Sequence, residues 1–165
     1  MSPEQELEAS LRLLVALFLG ITIGIEREYH RHPAGLRTMA AVCVGSCLFS
    51  VIGSFIPHTD PTRIAAQVVT GVGFLGAGAI LRSDRSVHGL TTAAAIWVVA
   101  AIGMAVGFGL FIVSTICTLM VVVFLVGADG LGRFERPGAF GFFRGLEHHV
   151  RFEQLADVRL ELECR

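Results

Sequence analysis

The chain has 165 residues, 53% of them hydrophobic and 16% charged, with a net charge of −1 at neutral pH and a mean hydropathy of +0.69. That balance excludes a soluble domain and points to an integral membrane protein. No basic patch is concentrated enough for a nucleic-acid binder, and all thirteen cations are arginine, which removes Schiff-base lysine chemistry and a P-loop lysine.

The opening MSPEQELEAS carries three glutamates and no cation, the reverse of a secretory signal's basic start, so the first apolar segment is expected to remain in the mature protein. The first span is read over residues 7–25. Its uncharged part, residues 13–25, is only thirteen long. It reaches membrane length by including Glu8 and Arg12, an i,i+4 pair in the favourable order whose arginine can snorkel. Ala16, Gly20 and Gly24 recur every fourth residue and form a small-residue face, expected to receive a similar face of the third span.

Residues 26–37, EREYHRHPAGLR, have the composition of a polar loop. Span two is read over 38–56, closed by Pro57. Asp60 as N-cap and Pro61 at the first helical position open span three. Its uncharged residues 64–81 just cross a hydrocarbon core roughly 30 Å thick. Ala66, Thr70, Gly73 and Ala77 share one side of that helix, so it is built to be packed against, and Gly73→Leu should push two helices apart. Gly71, Gly73 and Gly76 also spell G-x-G-x-x-G. The strand, helix and acidic residue that a dinucleotide loop requires are not offered around it, and close packing is the better reading.

After Leu81, RSDRSVHG reads as a second charged loop, and residues 90–126 contain no charge. One helix of that length would measure about 55 Å, nearly twice the hydrocarbon thickness, so the run must fold back, with Gly103, Gly107 and Gly109 marking the bend. The expected fold is therefore all-α: five transmembrane helices within residues 1–127, the last two over 90–106 and 109–126. A cytoplasmic linker follows over 128–150. Arg27, Arg31, Arg37, Arg82, Arg85, Arg133, Arg136 and Arg144 gather on one side against Arg12 and Arg63 on the other, which puts the N-terminus outside and the C-terminus in the cytoplasm. Within the tail, 151–165, DVRLELECR alternates with the period of a half-buried strand. One strand is not stable alone. Either it joins a sheet in another chain or the sequence stops just inside a cytoplasmic domain.

Spans two to five place no ionisable residue at the membrane midplane, which argues against a pump. Gln67 and Thr70 in span three, and Thr91 and Thr92 with Trp97 in span four, read as interhelical hydrogen bonding with an aromatic packed nearby, or alternatively as a ligand or inhibitor site. Charges gather at the edges instead: Glu26, Arg27, Glu28, Arg37 and Asp84 on one side, Asp60 and Arg63 on the other. With His30, His32 and His88 these carboxylates could hold a divalent cation. The stronger reading is ion pairing in a solvated rim, with Glu26 facing Arg37 across the loop. Cys43 and Cys47, one turn apart in an apolar run, read as small buried hydrophobes without enough soft ligands for zinc. No catalytic residue, metal site or cofactor is expected.

Three blocks in order, GITIGIERE with AGLRT, DPTRIAAQVVTGVGFLGAGAIL, and GLTTAAAIW, resemble the MgtC/SapB family over residues 11 to about 127. The resemblance implies a bacterial inner-membrane protein linked to survival in low magnesium and within macrophages. Some members of that family restrain the F-type ATP synthase, and the family's pattern continues into a cytoplasmic ACT-like domain, of which DVRLELECR resembles the first strand. Matched by motif, the candidate binding positions are Glu26, Arg27, Arg37, Thr38, Asp60, Arg63, Gln67, Gly71, Gly73, Phe74, Gly76, Gly78, Thr91, Thr92 and Trp97, to which the polar residues of span three add Thr70. At Thr91 some virulence-linked members carry asparagine. The reading that follows is a non-catalytic, oligomeric regulator in the lipid bilayer whose partners are other membrane proteins, the ATP synthase among them, with no nucleic acid. A divalent-cation transporter or channel is the alternative.

Overall fold

A computed structural model describes residues 2–55, 60–83 and 86–132, which form five α-helices and one short β-hairpin. Helix α1 (Pro3–Tyr29) starts on a reciprocal cap: the Ser2 hydroxyl accepts from the Gln5 N–H, and the Gln5 side chain accepts from the Ser2 N–H. The helix does not stop where the apolar run stops. Glu26, Arg27, Glu28 and Tyr29, read from sequence as loop, form its last turn, because charge alone does not break a helix and an arginine suits the C-terminal dipole. The reversal comes at Arg31, in the left-handed region at φ 57°. Glu28 then accepts from the Leu36 N–H at 2.8 Å and so ties the start of α2 (Leu36–Phe55) to the end of α1.

Helix α3 (Pro61–Ala79) opens as its sequence indicates, with Asp60 as N-cap and Pro61 at the first position. The segment after it is not a plain loop. β1 (Leu81–Ser83) and β2 (Ser86–His88) pair antiparallel, with Leu81 opposite His88. Only this hairpin departs from an all-helical architecture among the described residues. Gly89 caps α4 (Leu90–Gly107) at φ 89°, and a Cβ there would lie 2.1 Å from the Ala79 carbonyl oxygen, so the position requires glycine. The turn from α4 to α5 (Phe111–Gly132) uses Gly109 at φ 80°. Helix α5 continues past residue 126, where the last span was expected to end, through residues 128–132, which were expected to open the linker. Pro57, Asp84, Arg85, the rest of the linker and DVRLELECR lie outside the described residues.

Helices α1, α2 and α4 are each long and apolar enough to cross a membrane. In α3 the glycines, Arg63 and Gln67 dilute the apolar run, and the apolar part of α5, Phe111–Gly127, is shorter. Buried residues from α1, α2 and α4 form the core, among them Ala16, Ile23, Met39, Cys43, Val99 and Ile102. Glycine sets how close these helices come. A Cβ at Gly24 would meet the Leu36 Cα at 2.7 Å, and one at Gly103 the Cys43 carbonyl oxygen at 2.1 Å. The Ala16, Gly20 and Gly24 row therefore does pack closely, but against α2 rather than α3. Gly103 is a packing position inside α4 and not part of the bend. The outside of the bundle is apolar, with Phe18, Phe74, Ile112 and Phe124 each more than two-thirds exposed.

Candidate functional site: the cleft between α2 and α3

Helix α3 is held loosely. Only Val72 and Gly76 on it are buried, and it touches α4 where Gly76 faces Ala93 and α2 where Ile64 fills the space left by Gly53. Between those contacts a cleft of about 950 Å³ opens, lined on the α2 side by Ala41, Val42, Gly45, Ser46 and Phe49. On the α3 side it is lined by Asp60, Arg63, Ile64, Gln67, Val68, Gly71, Val72 and Leu75. Its volume falls at the upper end of the range of ligand pockets, roughly 300–1,000 Å³. The charged and amide side chains cluster at the start of α3, and the remainder is hydrocarbon and glycine apart from Ser46.

At the polar end the Asp60 Oδ1 accepts from the Thr62 N–H at 2.9 Å and from its hydroxyl at 2.7 Å. These hydrogen bonds, with a smaller contribution from Arg63, hold the Asp60 carboxyl below the usual carboxylate range. Oδ2 has no hydrogen bond among the described residues. Arg63 is one helical turn on and bridges neither Asp60 nor any other described acid, and Gln67 is likewise unengaged.

The candidate residues separate into distinct places. Asp60, Arg63, Gln67 and Gly71 meet in the cleft. Thr70, Gly73, Phe74 and Gly78 face outward from α3, and a Cβ at Gly71, Gly73 or Gly78 would meet nothing within 4 Å. The expected close-packing face of Ala66, Thr70, Gly73 and Ala77 is thus exposed within this chain, because α3 turns its Val72 and Gly76 side to the bundle. Thr70 spends its hydroxyl on the Ala66 carbonyl of its own helix rather than on a neighbour. On α4, Thr92 is buried, Thr91 is exposed, and Trp97 lies half exposed on the outside instead of packing near the small faces.

Glu26 and Arg27, expected in a solvated rim, are buried at 7% and 1% exposure. Their carboxylate and guanidinium are paired in two-pronged fashion, and the His30 ring approaches the same carboxylate at 3.2 Å. Arg37 and Thr38 are exposed at the start of α2, so Arg37 is not the partner of Glu26. Sequence reasoning also missed Arg12's reach. Besides Glu8 at 2.5 Å it donates to the Gly107 carbonyl at 2.7 Å, capping the C-terminus of α4 with a cation. The cleft-lining residues of α2 gave no signal either, since apolar residues fall on every side of α2 and its sequence does not distinguish one face from another. Among the described residues no three His, Cys, Asp or Glu side chains gather into a metal-binding group.

These features define a helical membrane protein with a laterally open, mostly apolar cleft. The chain belongs to the MgtC family, whose model matches residues 13–134. It is 44% identical over 128 residues to the uncharacterized protein slr0014 of Synechocystis, covering 77% of this chain and 55% of that one. It is 45% identical over 127 residues to the Escherichia coli K12 protein named "Putative magnesium transporter YhiD", covering 70% and 59%. It is 44% identical over 112 residues to Protein MgtC of Salmonella typhimurium LT2, covering 68% and 48%. The chain spans about half the length of the curated relatives it matches. No solved structure matches it.

Proposed function

We propose that the protein is a non-catalytic, multi-pass regulator of the bacterial inner membrane that acts in adaptation to low magnesium through helix contacts with other membrane proteins, the F-type ATP synthase membrane sector being the candidate partner. All five helices cross on this reading, with the N-terminus outside. In its support, each helix that touches its predecessor in sequence runs antiparallel to it: Gly24 lies by Leu36, Gly53 by Ile64, and Gly76 by Ala93. The observation that carries the function is the open side of α3. Gly73 and Gly78 leave backbone accessible with nothing against it among the described residues, the surface that closely packed membrane helices use.

The cation-transporter reading keeps one observation in its favour: Asp60, whose Oδ2 has no hydrogen bond among the described residues, and Gln67 both line the cleft, and a relative carries the name of a magnesium transporter. Two measurements separate the readings. A photo-crosslinking residue at Phe74 should yield an adduct with an ATP synthase membrane subunit in cells, while one at Phe18 should not. Purified protein in liposomes should pass no magnesium. Magnesium flux that Asp60→Asn abolishes would install the transporter in the regulator's place.

A further inference from the structure

We propose that the α2/α3 cleft is a binding site for a single zwitterionic phospholipid, with the phosphate on Arg63, the ammonium on Asp60 and the acyl chains along the apolar wall. The inference rests on α3 crossing the membrane and goes beyond the regulatory role.

Depth supports a lipid. From Arg63 to Leu75 the α3 wall runs twelve residues, about 18 Å at the helical rise. That is close to one leaflet, half of a hydrocarbon core roughly 30 Å thick. A membrane helix from a second copy would need a groove running the whole thickness. The charged and amide groups of the lining stand where a head group would be, on the first turns of α3, and below Gln67 the wall is hydrocarbon and glycine apart from the buried Ser46.

Charge narrows the head group. Arg63 has no ion-pair partner among the described residues, and Asp60 keeps Oδ2 uncommitted one turn away, so an acid and a base flank the mouth without satisfying each other. An anionic lipid would gain from Arg63 and be repelled by Asp60. Phosphatidylethanolamine offers an anion to one and a hydrogen-bonding ammonium to the other, whereas the quaternary ammonium of phosphatidylcholine has no N–H to donate.

The test is native mass spectrometry of the purified chain titrated with phosphatidylethanolamine, phosphatidylglycerol and phosphatidylcholine. One molecule of phosphatidylethanolamine should bind, retained about tenfold better than either other lipid, the value of one charge-assisted hydrogen bond. A Cβ at Gly71 would meet nothing within 4 Å, so Gly71→Leu should be tolerated while adding a side chain to the cleft wall and should abolish that adduct, whereas Gly78→Leu, equally open at its Cβ but outside the cleft, should leave it. Asp60→Asn retains a capping side chain and should turn the preference toward phosphatidylglycerol. Equal binding of all three lipids, or an adduct indifferent to Gly71→Leu, would overturn the proposal. So would a lipid-free dimer that Gly71→Leu splits, which would make a second copy the occupant. Labelling of a cysteine at Thr62 reports on the crossing alone and separates failure of the topology from failure of the site.

Discussion

Gly103 offers the sharpest test of what holds the bundle together. A Cβ at that position would stand 2.1 Å from the Cys43 carbonyl oxygen and 3.1 Å from the Cys43 Cα. Ordinary contact begins at 3.4 Å, so Gly103→Ala requires α2 and α4 to separate by about 1.3 Å. The obstructing atom is backbone and cannot rotate away. A gap of that size forfeits half or more of the dispersion energy of each contact it opens, and the contacts at risk belong to Met39, Cys43, Cys47, Val99 and Ile102, which are buried at 2% exposure or less. The expected cost is about 3 kcal/mol, the upper end of overpacking effects, or a fall of about 6–12 °C in melting temperature for a chain of this size. Gly73→Leu is the control. It adds more atoms to an equally small residue, but a Cβ at Gly73 meets nothing within 4 Å, and leucine is the better helix former, so its stability should change by less than about 1 kcal/mol. Thermal unfolding in detergent followed by circular dichroism decides it. Equal losses from both variants, or a harmless Gly103→Ala, would mean that glycine does not set the α2/α4 distance.

Replacing Arg27 by methionine strands the buried Glu26 carboxylate and should cost about 3 kcal/mol, part of which Glu26→Gln in the same chain should restore when both are unfolded in parallel. Arg12→Gln loses the charged cap on the Gly107 carbonyl and should cost about 2 kcal/mol, seen as faster amide exchange in the last turn of α4. Because hydrogen bonds from Thr62 depress the Asp60 pKa, the cap's contribution should be fully present above the usual carboxylate range and vanish as pH falls through the lower folded value. Exchange of the Thr62 amide should therefore be flat in protection from pH 7 to about pH 5 and lose it only in stronger acid, a profile Asp60→Ala should lack. Single cysteines at Thr62 and Pro33, in a background without native cysteine, should label from opposite faces of the membrane, Thr62 from outside; labelling of both from one face would refute the proposed topology.

Most of the helix plan was legible because it rests on local chemistry. Asp60-Pro61 announced the start of α3, and the uncharged length of residues 90–126 forced a reversal that Gly109 supplies. What stayed hidden was burial. Glu26 and Arg27 read as a rim because composition assigns charge to water. Once adjacent, however, they neutralise each other and can be enclosed together, and no sequence period distinguishes an enclosed pair from a solvated one. Arg12 was legible as a partner for Glu8, four residues away, and illegible as a cap for Gly107, ninety-five residues away.

The glycines make the same point about function. Gly20 and Gly24 on α1 and Gly71 and Gly73 on α3 look alike as small residues in apolar runs, which sequence alone assigns to helix packing, while it assigns Gly103 and Gly107 on α4 to a bend and leaves Gly78 without a role of its own. The structure divides them. The α1 and α4 positions are consumed by α2, each with a backbone or Cβ atom within about 3 Å of where a side chain would begin, while the α3 positions meet nothing. Glycine in a helix is destabilising by roughly 1 kcal/mol relative to alanine, a cost that close packing offsets on α1 and α4. On α3 the described chain supplies no such return at Gly71, Gly73 or Gly78. A helix that bears that cost on its open side is placed to recover it from something outside this chain, and that points to α3 as the element through which the protein meets its surroundings.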